Sequence, residues 1–232
     1  MGIYSIKPWF RQQLQPLIKV LWNVHPDVLT WSALGLSALL GFILYASASP
    51  HACFLVCGKT EAPAASPEAC NQSWLALTAM PLFFVRLALN ALDGLLAQQT
   101  GKARVQGEVL NELSDRFADT FIFLGITLAL PQDQQCIGFT AMILMLINSY
   151  TGLLGKAVGT ERVYTGMLGK ADRMILLMVA CLAYGFFPNF KIIDYNIFGC
   201  LFLLMIPMAI ATFIQRLTRI LALLKAKQGA QA

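Results

Sequence analysis

Six stretches of about twenty mostly apolar residues dominate this 232-residue chain, and they leave few folds open. A run of that length matches the thickness of a bilayer's hydrocarbon core when wound as an α-helix. The runs are Val28–Ser47, Trp74–Gln98, Gly107–Leu130, Cys136–Leu154, Met174–Phe187 and Tyr195–Ile214. Composition agrees, with 57% hydrophobic and only 12% charged residues, against about a quarter charged in soluble domains. The expectation is an all-α integral membrane protein of six transmembrane helices. It forms a single domain over 1–232, with a six-span bundle at 28–214 and a basic tail at 215–232. A further segment, Tyr4–Asn23, puts Trp9, Leu14, Leu17, Ile18, Leu21 and Trp22 near one side and Lys7, Arg11 and Lys19 largely on the other. That pattern predicts an amphipathic helix over 4–23 lying in the membrane interface. Its basic residues are spread among apolar ones, unlike a cleavable signal peptide.

Charge placement sets the expected orientation. With six spans, fourteen of the seventeen Lys and Arg residues fall on the side of the two termini. Only Lys59 and Lys191 lie in the opposite loops, and Arg86 lies inside the second run. The positive-inside rule then places both termini in the cytoplasm. Cys53, Cys57 and Cys70 share the loop expected outside, where oxidising conditions favour a disulfide, with Cys53–Cys70 or Cys57–Cys70 as the expected pairs. Free thiols, or a zinc site with His51, are the alternatives. The chain carries no internal repeat, which removes the main sequence sign of a repeat-built transporter.

The polar residues that interrupt the second and third runs are the chemically informative ones. Asn90 and Asp93 are three apart, and Asn111, Asp115 and Asp119 recur at intervals of four. At these spacings side chains are neighbours on one helix face. Two antiparallel helices joined by a short turn would set Asn90 and Asp93 opposite Asn111 and Asp115. Oxygens on that face suit a hard cation that shares its shell with substrate phosphates, and Lys102, Arg104, Lys170 and Arg173 supply positive charge at the same mouth. The alternative is that Asn and Asp only hold the helices together. Arg86 and Asp119 each lie twelve residues from the turn-side landmarks Gln98 and Gly107. Both then sit about 18 Å deep at 1.5 Å per residue, which predicts an ion pair, since an unpaired charge there is costly. Backbone carbonyls or a lipid phosphate are the other partners open to Arg86.

The run Asn90-x2-Asp93-Gly94-x2-Ala97-Gln98-x8-Gly107-x3-Asn111-x3-Asp115 resembles the CDP-alcohol phosphotransferase family. That family carries D-x2-D-G-x2-A-R-x8-G-x3-D-x3-D. Every spacing agrees, and five of the eight fixed residues are the same. His25 to Thr30 resembles the family's Pro-Asn-x-Leu-Thr opening of its first span, and Gly169 to Arg173 resembles the basic stretch before its fifth. Asn at the first and third acidic positions is similar to a recurring branch of the family; Gln98 stands where the pattern has Arg. The resemblance implies a cytoplasmic active site in a membrane protein, with the bacterial inner membrane expected. The reaction it implies is transfer of a phosphatidyl group from a CDP-linked lipid, expected to be CDP-diacylglycerol, to a small alcohol or polyol phosphate, with release of CMP. It implies Mg2+ or Mn2+ held by Asp93 and Asp115 with Asn90 and Asn111 as neutral ligands, and Asp115 as base. Gly94, Ala97 and Gly107 would make room for the nucleotide with Arg104 beside it, and Lys170 and Arg173 would face acceptor or phosphate. Glu108 and Glu112 are candidates to restore the lost acidic charge. The bilayer and a second copy of the chain are the expected partners, and nucleic acid is not. A catalytically silent scaffold or nucleotide-lipid binder of the same fold is the alternative function.

Overall fold

The structure, a computed structural model, describes residues 7–49 and 72–229. Its described part is helical apart from one two-stranded hairpin. The helices are α1 (Lys7–Leu21), α2 (Pro26–Ala48), α3 (Trp74–Gln99), α4 (Val105–Ala129), α5 (Gln135–Ala157), α6 (Lys170–Phe186) and α7 (Ile197–Gly229). The loop carrying Cys53, Cys57 and Cys70 lies outside the described residues.

Local chemistry explains the helix starts. Pro26 opens α2, where its missing N–H costs nothing, and His25 Nδ1 caps the turn by accepting the Asp27 N–H. In α6, Asp172 Oδ2 accepts the Gly169 N–H at 2.9 Å, tying the first turn to the loop before it. Between α3 and α4, Gly101 takes a φ of 67°, a conformation with little penalty only for glycine.

Helices α2, α3, α7 and the segment Gln132–Ala157, which includes α5, are each long and apolar enough to cross a membrane. Helix α4 carries Glu108, Glu112, Asp115, Arg116 and Asp119, and α6 has 17 residues. Both nevertheless join the same packed bundle. Leu40 and Leu44 of α2, Phe83 of α3, Ile122, Phe123 and Ile126 of α4, Met145 of α5, Leu177 of α6, and Phe198 and Phe202 of α7 share one core. A smaller cluster at the motif end joins Leu14 and Ile18 of α1 to Leu29, Leu92 and Leu96.

Helix α2 is the common support of the motif helices, packing extensively against both α3 and α4. Its approach to α4 is a backbone-to-backbone crossing. A Cβ on Gly41 would lie 2.2 Å from the Phe121 carbonyl oxygen, and one on Gly125 would lie 2.0 Å from the Gly41 carbonyl oxygen. Small residues permit such closeness between helices in lipid.

Two features depart from the sequence reading. The last helix does not end near Ile214 but continues to Gly229, taking in most of the expected tail. Its Arg and Lys residues follow apolar ones at helical spacing, and no Gly or Pro stops it there. The loop before α7 contains a short hairpin, Lys191–Ile192 with Tyr195–Asn196, turning through Ile193 at a φ of 58°.

Candidate active site

The polar residues of α3 and α4 meet at the end of the bundle near Gly101, with α2 and α6 contributing. Asp93 is buried and held from two sides. Its Oδ2 accepts the Thr30 hydroxyl of α2 at 3.0 Å, and its Oδ1 accepts the Gly94 N–H at 2.6 Å. Each carboxylate oxygen keeps acceptor capacity beyond those bonds. Asp115 reaches across to α3, where Asn90 Nδ2 donates to its Oδ1 at 2.8 Å. Lys170 Nζ, from the first turn of α6, lies 2.5 Å from the same oxygen. Asn111, one turn before Asp115 on α4, keeps its Oδ1 buried with no hydrogen-bond partner.

Behind this lies a charged floor. Arg86 is fully buried, and its NH2 lies 3.3 Å from Asp119 Oδ1. The ion pair expected from register is therefore present. Its Nε donates to Ser37 Oγ at 2.7 Å, and its NH1 meets Met174 Sδ at 3.1 Å. Arg173 joins the same group, with NH2 3.0 Å from Asp119 Oδ2. Arg173 is thus buried in the floor, one turn from Lys170 rather than beside it at the mouth. Ser37 and Met174 were not legible as members, since a serine and a methionine inside apolar runs look like ordinary packing.

At the mouth, Arg104 pairs with Asp27 at the start of α2. A Cβ on Gly107 would sit 3.7 Å from Arg104 Cγ, whereas one on Gly94 would meet nothing within 4 Å. Gly94 therefore borders open space, Ala97 is half-buried and Gln98 is exposed.

Glu108 and Glu112 do not turn to Asn111 to replace lost charge. Glu108 pairs with Lys156 at 2.5 Å, and Glu112 binds Arg162 through two contacts of 2.6 and 3.0 Å. Arg116 also pairs with Glu112, at 3.0 Å. Burial works against the charge on Arg162, but the Glu112 carboxylate overrides it and holds the guanidinium above its ordinary range. Arg162 also stacks over the Tyr164 ring at 4.9 Å. A bidentate Arg–carboxylate pair fixes geometry as well as charge, so α4 is tied to the loop between α5 and α6. The signal available in sequence was only that loop's excess of positive charge.

No three His, Cys, Asp or Glu residues cluster among the described residues. The donor set at the motif is instead two carboxylates, Asp93 and Asp115, with the amides of Asn90 and Asn111. Lys170 already offsets the charge of Asp115, so Asp93 is the carboxylate left for a divalent cation, and the partnerless, buried Asn111 oxygen is a donor of the hard type such a cation takes. The residues fit one such ion.

Comparison with known proteins agrees with this architecture. No family model matches the chain. The inner membrane protein YnbA of Escherichia coli (strain K12) is 28% identical over 191 residues, covering 82% of this chain and 83% of that protein. Among solved structures, Mycobacterium tuberculosis phosphatidylinositol phosphate synthase (PgsA1) with CDP-DAG bound has a TM-score of 0.64 at 17% identity, covering 91% of this chain and 92% of that one. The same protein in complex with manganese and citrate gives 0.65 at 18% identity, covering 89% and 88%. The chain therefore has the helical membrane fold of PgsA1 over nearly its whole length, and at these identities the likeness establishes fold.

Proposed function

We propose that the chain is a membrane phosphatidyltransferase that moves a phosphatidyl group from a CDP-linked lipid, CDP-diacylglycerol, to an alcohol acceptor with release of CMP. The observation that supports this reading is the contact of Asn90 and Lys170 with Asp115, on motif spacing of Asn90, Asp93, Asn111 and Asp115 that resembles CDP-alcohol phosphotransferases. The PgsA1 fold, in a protein solved with CDP-DAG and with manganese, supports it.

In this reading Asp93, Asn90, Asn111 and Asp115 line the metal end of the site. A divalent cation, Mg2+ or Mn2+, supplies charge neutralisation for the diphosphate when bound. Gly94 leaves room beside Asp93 for the nucleotide, with Ala97 and Gly107 along the same groove and Arg104 at its edge. Asp115 takes the proton of the acceptor hydroxyl. The acceptor oxygen forms a bond to the lipid-side phosphorus, and the bond from that phosphorus to CMP breaks with its electron pair leaving on CMP. Lys170 supplies positive charge for the acceptor side, while Arg173 stays in the floor against Asp119. The bundle has six spans, α4 and α6 crossing with their polar faces turned inward, and α1 lies in the interface as a single domain's entrance helix. It sits in a bacterial inner membrane, as the YnbA name says of that relative, with termini and site cytoplasmic. The partners are the bilayer, CDP-diacylglycerol and an alcohol or polyol phosphate, in a homodimer.

The test is CMP release by purified protein in detergent or nanodiscs given CDP-diacylglycerol, Mg2+ and a panel of acceptor alcohols. Acceptor-dependent CMP release establishes the reading. A folded protein that binds the nucleotide lipid without releasing CMP in any arm of the panel overturns it in favour of a silent binder.

A further inference from the structure

The site's charge balance is more specific than the motif that led to it, and resting on the transferase reading it can be taken one step further. At Asp115 the structure supplies protein cations and donors directly. Asn90 Nδ2 donates to Asp115 Oδ1 at 2.8 Å, and the Lys170 ammonium lies 2.5 Å from that same oxygen. Had residue 90 been Asp, two carboxylates would face each other at that separation. Like charges so close need a cation between them. The amide closes the gap by donating a hydrogen bond instead, so no ion is required there. At Asp93 the opposite holds. Its hydrogen-bond partners are one hydroxyl and one backbone N–H, both neutral, and among the described residues no Lys or Arg forms an ion pair with it. On α4, one turn before Asp115, Asn111 Oδ1 is buried without a partner, an arrangement with a desolvation penalty that a bound cation would remove. The other carboxylates of the region are already engaged: Asp119 with Arg86 and Arg173, Glu112 with Arg162 and Arg116, Glu108 with Lys156.

We infer that this site takes a single divalent cation, on the Asp93 carboxylate and the Asn111 amide oxygen, and that the Lys170 ammonium permanently occupies the cation position against Asp115. The protein thereby carries one of its cations on its own chain. Lys170 comes from the first turn of α6, next to the Gly169–Asp172 cap that anchors that turn. It therefore sets its ammonium at a place fixed by the bundle.

The experiment uses the full chain in nanodiscs and Mn2+ as the probe, with and without CMP, read by electron paramagnetic resonance and by equilibrium counting of bound metal. One Mn2+ per chain, with a spectrum free of Mn–Mn coupling, is expected for the wild type. The double variant Asn90→Asp/Lys170→Gln is expected to take a second Mn2+ and show spin coupling. Asp93→Asn is expected to weaken the single site at least tenfold. Two coupled Mn2+ ions in the wild type would overturn the inference and leave the transferase reading standing. Failure of the double variant, correctly folded by circular dichroism, to gain a second ion would overturn Lys170's role. Binding of no Mn2+ under either condition would overturn both the single-cation site and the metal-dependent transferase, a result that CMP assays would register separately.

Discussion

Removing Asp119 should damage this protein more than removing Arg86, although the two form one ion pair. Among the described residues Asp119 is the one carboxylate in ion-pair contact with the two buried guanidiniums, Arg86 at 0% exposure and Arg173 at 4%. In Asp119→Leu both cations stay buried without their paired carboxylate. Breaking a buried pair from one side costs about 3–5 kcal/mol, and here two partners are stranded, so the loss belongs at or above the top of that range. In Arg86→Met the carboxylate keeps Arg173 at 3.0 Å. What disappears is one pairing and the Ser37 bond, roughly 1.5–3 kcal/mol for a hydrogen bond to a charged group, partly offset because one desolvated charge is gone. The double variant should then lose less than the sum, with a coupling of at least ~1 kcal/mol. Cys181 is fully buried and reports unfolding. Thiol-dye labelling, in a background where it is the sole cysteine, gives unfolding free energies in mixed micelles. Equal losses for the two single variants, or additivity within ~0.5 kcal/mol, would refute the shared-anion arrangement.

Other outcomes follow from the site and the packing. Asp93→Ala and Asp115→Ala should each lower metal-dependent CMP release at least ~10²-fold while the protein stays folded, because each removes a group central to the chemistry; near-wild-type turnover in either would remove that residue from the site. Chelation with EDTA should abolish CMP release, and Mg2+ or Mn2+ should restore it; full activity in the chelator would end the metal-dependent reading. Gly125→Ala should destabilise by about 1–3 kcal/mol or more, the range for overpacking, since its Cβ would lie 2.0 Å from a backbone oxygen, whereas Gly35→Ala, with nothing within 4 Å, should be neutral or better; thermal melting of the pair in detergent checks the contrast.

Much of this was legible in the chain before its structure. Apolar runs bounded by Pro, Gly and charge marked the helices to within a few residues, the end of α7 excepted, because burying backbone in lipid leaves little choice but helix. Helical spacing put Asp115 and Asp119 on one face, and simple register brought Arg86 to Asp119. What could not be read was which helix stands between. Asp93 depends on Thr30 of α2, and the crossing that positions α2 rests on Gly41 and Gly125, residues whose meaning lies only in what approaches them. The fate of Glu108 and Glu112 was equally hidden. They lie within a turn of Asn111, yet Lys156 and Arg162, about fifty residues away, claim them. Sequence proximity proposes partners, and long-range packing decides among them.

The unbroken length of α7 changes what the C-terminal segment is for. Its 33 residues extend about 50 Å at 1.5 Å each, well beyond a hydrocarbon core of about 30 Å. The extra turns brace the loop between α5 and α6 from behind. Arg216 donates to the carbonyls of Thr165 and Asn148, and Lys227 donates to that of Gly159. The same loop carries Arg162 to Glu112 and runs on into Lys170 against Asp115. A segment that composition marks as a basic tail is therefore a buttress whose load path ends at the carboxylate. Trimming the chain at Ile214 would remove no residue of the site, but it would take away the wall against which the site's lysine is set.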